Sequence, residues 1–154
     1  MACLLRHGTT TAMYFATIHV DATCALADAC VAVGQRAFVG KVNMDRHGPA
    51  DYCETTLQSL EGSAEVTRRV RASQRGEPVE HHLVRPVLTP RFVPTCSPEL
   101  LRGLGAMAAM DPHGIRVQSH ISESDGEVAF TARLHDGQRD AALLDQVGRC
   151  NLNR

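Results

Sequence analysis

The sequence predicts an α/β fold of parallel strands joined by helices, and three observations carry that expectation. Short runs rich in β-branched and aromatic residues alternate, four times over, with longer stretches whose apolar residues recur at helical spacing. The boundaries carry stop and start signals, such as Gly34 after one alanine-rich stretch and Ser97-Pro98 before another. At 154 residues, 44% hydrophobic and 21% charged, the chain has the composition of an ordinary globular protein and the length for one domain with a real core. Strand–helix alternation of this kind implies right-handed crossovers, in either an open doubly wound sheet or a barrel.

Taken in order, residues 8–20 form the first expected strand, between Gly8 and Asp21. Ala22 to Val33 is the first helix, closed by Gly34, and Ala37 to Val42 is the second strand, emptying into a loop from Asn43 to Pro49. Thr55 to Ala72 is the next helix, capped by Thr55 or Thr56, with Leu57, Leu60, Ala64 and Val70 as its expected inner face. A turn from Arg75 to Pro78 leads to the third strand, Val84 to Thr89. Ser97 caps a helix running to about Met110, and Asp111 to Gly114 turns the chain into a strand from Ile115 that carries His120. A helix follows from about Asp125 to Leu134, and Asp140 to Val147 is helix-compatible; residues 149–154 show no pattern and stand as an unassigned tail.

Open sheets and barrels share one rule, that chemistry gathers beyond the carboxyl ends of the strands. His19, Asn43 to Asp45, Arg91-Phe92 and His120 to Glu123 all fall there. Composition narrows the chemistry further. A net charge of −1 speaks against a nucleic-acid surface, and the run Arg68-Arg69-Val70-Arg71 reads as a solvated helix face. No stretch of about 18 apolar residues is present to span a membrane, and Met1 to Gly8 is too short in apolar core for a secretory signal, so a cytoplasmic protein is expected. The six cysteines (Cys3, Cys24, Cys30, Cys53, Cys96 and Cys150) include no C-x-x-C pair, so reduced, buried or partly exposed thiols are expected. Pro94-Thr95-Cys96-Ser97 lacks the second cysteine of the zinc deaminases that carry P-C-x-x-C. His81-His82 lies before a strand, at the end away from the chemistry, and reads as surface.

Five stretches in register resemble the guanine deaminase family of the amidohydrolase superfamily. They are His7 to His19, Gln35 to Asp45, Glu54-Thr55-Thr56, Thr89-Pro90-Arg91-Phe92 with Thr95-Cys96-Ser97, and Gln118-Ser119-His120-Ile121-Ser122-Glu123. The resemblance spans residues 1–148, which it implies are a catalytic-domain fragment: a partial (β/α)8 TIM barrel of the metal-dependent amidohydrolase type, about four βα units. The implied reaction is hydrolytic deamination of guanine to xanthine and ammonia. By the same resemblance His120 matches a zinc ligand, Glu123 the glutamate that shuttles protons, and Arg91 and Phe92 the residues that hold the base. A homodimeric full-length form is also implied.

The residue types suit that chemistry. Zinc lowers the pKa of water from about 15.7 towards about 7, and a carboxylate can take the water's proton and return it to the substrate. An arginine fork donates to a carbonyl, and an aromatic ring can lie against a purine. The family's His-x-His pair is missing, however; only one expected ligand is present, where a catalytic zinc takes about three. A truncated chain, inactive by itself, is therefore expected, and the alternative is a non-catalytic half-barrel acting through association with another chain. Without the resemblance, His120 reads as a hydrogen-bonded or solvent-facing histidine and Glu123 as a helix-start acid. Arg91 then becomes half of a surface ion pair and Phe92 a core residue.

Overall fold

Parallel strands lie side by side in the order in which the chain makes them, with helices covering one face. The computed structural model describes residues 1–74 and 76–149. Its helices are α1 (Ala2–Arg6), α2 (Val20–Ala32), α3 (Thr56–Ala72), α4 (Pro98–Met110), α5 (Asp125–Leu134) and α6 (Asp140–Arg149). Its strands are β1 (Thr11–Phe15), β2 (Arg36–Gly40), β3 (Val42–Asn43), β4 (Val84–Pro90) and β5 (Arg116–Val117). β1 pairs with β2 from Thr11↔Arg36 to Phe15↔Gly40. β2 and β3 follow one another along β4, through Ala37↔Val84 and Val42↔Thr89, and β5 pairs with β4 at Val87↔Arg116. Every pairing is parallel.

The helices form a matching series: α2 packs on α3, α3 on α4 and α4 on α6. Beneath α2 and α3, Cys24, Ala27, Cys30, Val66 and Val70 meet Ala37, Val39 and Val84 of the sheet. Beneath α4, Leu100, Leu101 and Leu104 meet Leu88 and Ile115. Burying each Val or Leu side chain is worth roughly 1.5–3 kcal/mol, so these two clusters hold the helical layer on the sheet.

The sheet curls strongly. Neighbouring strands lie about 4.8 Å apart, so in a flat sheet β1 and β5, three steps apart, would stand roughly 14 Å from each other. Yet Gln118, just past β5, donates from Nε2 both to the Tyr14 carbonyl on β1 and to Thr89 Oγ1 on β4, each at 3.0 Å. The Phe15 and His120 rings meet with centroids 4.3 Å apart. Strands in sequential order, a single helical layer and this curl describe a sector of a barrel, not a doubly wound sheet. Gly40 permits part of it: a Cβ there would stand 1.8 Å from Thr89 Oγ1.

Most expected elements are present, and the departures have visible causes. α1 was not expected; it places Met1 Sδ 3.4 Å from Cys30 Sγ and so rests on the α2–α3 cluster. The first strand ends at Phe15 instead of residue 20, and His19, instead of closing it, is the N-cap residue of α2. Gly34 adopts φ +70°, the left-handed geometry expected of a helix stop. The strand expected over Ala37 to Val42 breaks at Lys41, whose buried Nζ lies 2.5 Å from Glu54 Oε2 and 3.1 Å from the Val42 carbonyl. On α3, Thr55 is the cap and forms a reciprocal pair with Gln58. Its buried residues are Ser59, Ser63, Val66 and Val70; of the expected inner face Val70 is buried and Leu60 packs half-buried against the α4 cluster, whereas Leu57 (64% exposed) and Ala64 face outward. The helix is turned to offer its serines to Asn43. β5 is only two residues long, Arg116–Val117, and His120 lies three residues beyond its end.

α4 begins at Pro98 with Ser97 Oγ accepting from the Leu100 amide at 3.0 Å. Arg68 pairs with Glu65 and Arg69 with Asp21 at the surface, whereas Arg71 is largely buried in a two-pronged pair with Asp111 at 2.7 and 2.8 Å. His81 is exposed as expected, but His82 is buried, its Nε2 3.0 Å from the Glu77 carbonyl, because the 3-10 turn at 79–81 folds it inward. The described cysteines are free thiols. Among the described residues no helix is long and apolar enough to cross a membrane. Arg75 of the expected turn, Cys150 and the rest of the unassigned tail beyond Arg149 lie outside the described residues.

Candidate active site

The carboxyl ends of the strands are laced together by backbone hydrogen bonds in the order of the sheet. The Arg91 amide donates to the Asn43 carbonyl at 3.0 Å, and the His120 amide donates to the Arg91 carbonyl at 3.1 Å. Three segments distant in sequence, ending β3, β4 and β5, are thereby set side by side on one rim. The Gln118 amide, donating to the Leu88 carbonyl at 2.9 Å, continues the β4–β5 ladder towards that rim.

Asn43 anchors the rim from beneath. It is fully buried, and its Nδ2 faces Ser63 Oγ at 2.7 Å, Ser59 Oγ at 2.9 Å and the Ser59 carbonyl at 3.2 Å. Its Oδ1 accepts from the Thr89 amide at 3.3 Å. One amide side chain thus ties β3, α3 and β4 together. Asp45 does the same nearer the helix ends: Oδ1 accepts from the Ser97 amide at 2.7 Å, and Oδ2 accepts from Ser97 Oγ at 2.6 Å and Thr56 Oγ1 at 2.7 Å. A carboxylate shared by the first turns of α3 and α4 is well placed, because helix N-termini carry free amides and a positive end.

His120 is exposed and stacked, tilted, against Phe15. Its Nδ1 lies 3.3 Å from the Arg91 carbonyl. A carbonyl only accepts, so Nδ1 is the donor in this contact, and in the neutral ring Nε2 then carries the lone pair. That is the arrangement by which a second partner orients a ligating imidazole. Arg91 is exposed, with Nη1 3.6 Å from Met44 Sδ and its guanidinium 5.8 Å from the centre of the half-buried Phe92 ring. Glu123 is exposed in the loop ahead of α5, and its backbone amide donates to Glu127 Oε2 at 2.9 Å. The fold therefore brings His120, Arg91 and Phe92 to one rim, with Glu123 three residues along the same loop as His120. His19 stands apart, edge-on to Tyr52 with centroids 6.0 Å apart.

Sequence reasoning missed Phe15 and Gln118. Gln118 precedes His120 by two residues, so strand alternation sends both to one face, and that spacing was there to be read. Phe15 gave no comparable sign, because its partner lies 105 positions away. Gln118 Oε1 is also buried with no partner, an acceptor aimed into the curl of the sheet.

The fold perturbs the titratable side chains of Cys96, Lys41 and His135. Burial, with the nearby Asp45 charge, pushes the Cys96 thiol up to about 12, so the cysteine of the Thr95-Cys96-Ser97 string is a protonated, inert donor to the Asn43 carbonyl. Burial lowers the Lys41 pKa against the opposing pull of Glu54. Burial, followed by the Arg46 charge, lowers that of His135, whose Nε2 lies 3.2 Å from Arg46 Nη2.

Among the described residues, no three His, Cys, Asp or Glu side chains converge as metal ligands. His120 offers one well-oriented imidazole, but a catalytic zinc takes about three protein ligands. These residues therefore do not make up a metal centre by themselves.

Three comparisons place the chain among known proteins. The model of the amidohydrolase family matches residues 1–152. A guanine deaminase of Dictyostelium discoideum is 45% identical over 134 residues, covering 87% of this chain and 28% of the relative. The crystal structure of a guanine deaminase from C. acetobutylicum, with guanine bound in its active site, superimposes with a TM-score of 0.81 at 36% identity, covering 94% of this chain and 33% of that one. A zinc-complexed atrazine chlorohydrolase from Arthrobacter aurescens shares the fold at 22% identity and a TM-score of 0.71. The chain thus spans roughly a third or less of the length of the proteins it matches.

Proposed function

Because the chain belongs to the amidohydrolase family, whose model matches it over residues 1–152, we propose that residues 1–148 are part of the catalytic domain of a guanine deaminase. The reaction is the hydrolysis of guanine to xanthine and ammonia. The observation that carries this reading is the Arg91 carbonyl holding the His120 imidazole by Nδ1, with Nε2 free, at the carboxyl ends of the strands. Similarity to guanine deaminases along 87–94% of the chain supplies the substrate.

In this reading each residue has a definite task. Arg91 donates from its guanidinium to the guanine carbonyl, and Phe92 lies against the purine face. Glu123 takes a proton from the attacking water and delivers it to the departing amine, so water's oxygen stays on the ring and ammonia leaves. Its exposed side chain suits a group that must carry a proton between two places. His120 would supply one ligand of a metal centre, with zinc the metal proposed. The full-length protein is a cytoplasmic homodimer that binds neither nucleic acid nor membrane.

The test is loss of guanine absorbance, followed with the wild-type chain and with Glu123→Gln in the same, longest polypeptide recovered from its source. A general acid–base group contributes about 10²–10⁴-fold to rate, so a fall of that size is expected. Full activity in Glu123→Gln would remove this glutamate from the mechanism. A second reading, motivated by the lack of three converging ligands among the described residues, is a non-catalytic half-barrel that acts by associating with another chain. Bound zinc together with turnover of guanine supports the first reading; a metal-free, inactive protein found in complex with another chain supports the second.

A further inference from the structure

The loop that carries His120 and Glu123 is held at its middle by one buried carboxylate, contributed by a helix that takes no other part in the site. Ser122 sits between the two residues with φ +50°, a left-handed conformation that is disfavoured for a residue bearing a Cβ. Such a conformation persists only where the surroundings over-determine it. The surroundings are Asp140, the first residue of α6, only 2% exposed. Its Oδ2 accepts from the Ser122 amide at 2.6 Å, and Ser122 Oγ lies 3.1 and 3.2 Å from its two carboxylate oxygens. Oδ1 also accepts from the Ala141 amide at 2.9 Å, which fixes the carboxylate on its own helix. α6 is in turn packed on α4, so the clamp is rooted in the helical layer.

Resting on the reading of His120 and Glu123 given above, we propose that Asp140 is the positioning residue of this site. By holding Ser122 left-handed it fixes the direction in which the chain enters and leaves the turn. His120 is thereby set against Phe15 and the Arg91 carbonyl, and Glu123 is presented at the start of α5. Ser122 relaxed to an ordinary negative φ would swing the two residues apart. The loop carries no glycine that could adopt φ +50° unaided, so the carboxylate does what a glycine would otherwise do.

The test compares wild type, Asp140→Ala and Asp140→Asn in the full chain by NMR, without metal or substrate. In Asp140→Ala the Ser122 amide is expected to exchange at least about tenfold faster, the size of one charge-assisted hydrogen bond. The nuclear Overhauser effects between the His120 and Phe15 rings are expected to disappear, while exchange in α2 and β2 stays as in wild type. Asp140→Asn keeps an acceptor oxygen, so it should retain the ring-to-ring effects and show an intermediate exchange rate. An Asp140→Ala protein that is folded, keeps those effects and exchanges Ser122 within twofold of wild type would overturn the proposal. If Asp140→Ala does not fold, Asp140→Asn decides: rings still in proximity support the clamp, and rings moved apart refute it. Where guanine is turned over, Asp140→Ala should lower kcat at least tenfold with KM within about threefold. A loss confined to KM would mean that the clamp shapes the binding pocket instead, against the proposal. If wild type turns over no guanine but the NMR differences appear, the functional reading fails and the clamp stands.

Discussion

Replacing Asn43 by alanine tests whether the rim is built from beneath, as its hydrogen bonds indicate. The amide has two N–H donors, shared among Ser63 Oγ, Ser59 Oγ and the Ser59 carbonyl, and one oxygen accepting from the Thr89 amide. Each hydrogen bond removed costs about 1 kcal/mol net, and a buried N–H left without a partner costs roughly 1–3 kcal/mol. The serines recover part of this, since Ser63 Oγ already donates to the Ser59 carbonyl at 3.0 Å. Thr89, fully buried, has no such recourse through its side chain, which is 3.4 Å from the Val87 carbonyl. The sum is about 3–5 kcal/mol, a large share of the roughly 5–15 kcal/mol by which domains are stable. At about 2–4 °C per kcal/mol for a chain of this length, Tm should fall by roughly 6–20 °C. Thermal melts and urea midpoints followed by circular dichroism measure this directly. Pairing the change with Ser63→Ala in a double-mutant cycle should give a coupling above about 0.5 kcal/mol, as residues in contact do. A destabilisation below about 1 kcal/mol with no coupling would mean that Asn43 is not the anchor and that the rim is held by its backbone alone.

Two further outcomes follow from the same structure. Lys41→Met leaves Glu54, whose side chain is 13% exposed, without its cation and should destabilise by about 3–5 kcal/mol, whereas Lys41→Met with Glu54→Gln should recover most of that in urea denaturation; equal destabilisation would show that the pair is not coupled. Cys96 keeps its proton in the fold up to about 12, while the unfolded chain ionises it near 9.0, so the unfolded state binds fewer protons between those values and stability falls as pH rises from 9 towards 12. The urea midpoint of wild type should therefore decline between about pH 8 and about pH 10.5 more steeply than that of Cys96→Ala, and iodoacetamide at about pH 8 should label the exposed Cys3 well before Cys96. Parallel pH profiles for the two proteins would mean that Cys96 is not buried as described.

Whatever depends on neighbours along the chain was legible in the sequence. Thr55, one of two caps the sequence offered, Ser97 before Pro98, and Gly34 after an alanine-rich stretch each specify a helix end through contacts within a turn or so of chain, and each is found at such an end. The alternation of strand and helix likewise specified the parallel pairing, and the strand-end rule placed Arg91, Phe92 and His120 on a common rim. Strand and helix periodicity left barrel and open sheet undecided; the family resemblance implied the barrel, and the tertiary structure shows the physical basis. That basis is curvature, visible in Gln118 reaching Tyr14 across 104 residues. The face that α3 turns inward was settled in three dimensions. Its apolar pattern pointed to Leu57 and Ala64, yet Ser59 and Ser63 are the residues buried, because Asn43 arrives beneath the helix with donors that must be satisfied. A buried amide without partners costs more than an exposed leucine. The break at Lys41 and the clamp on Ser122 have the same origin. In both, a buried charge meets a partner set by another element, and the backbone follows the pairing, not the local propensity.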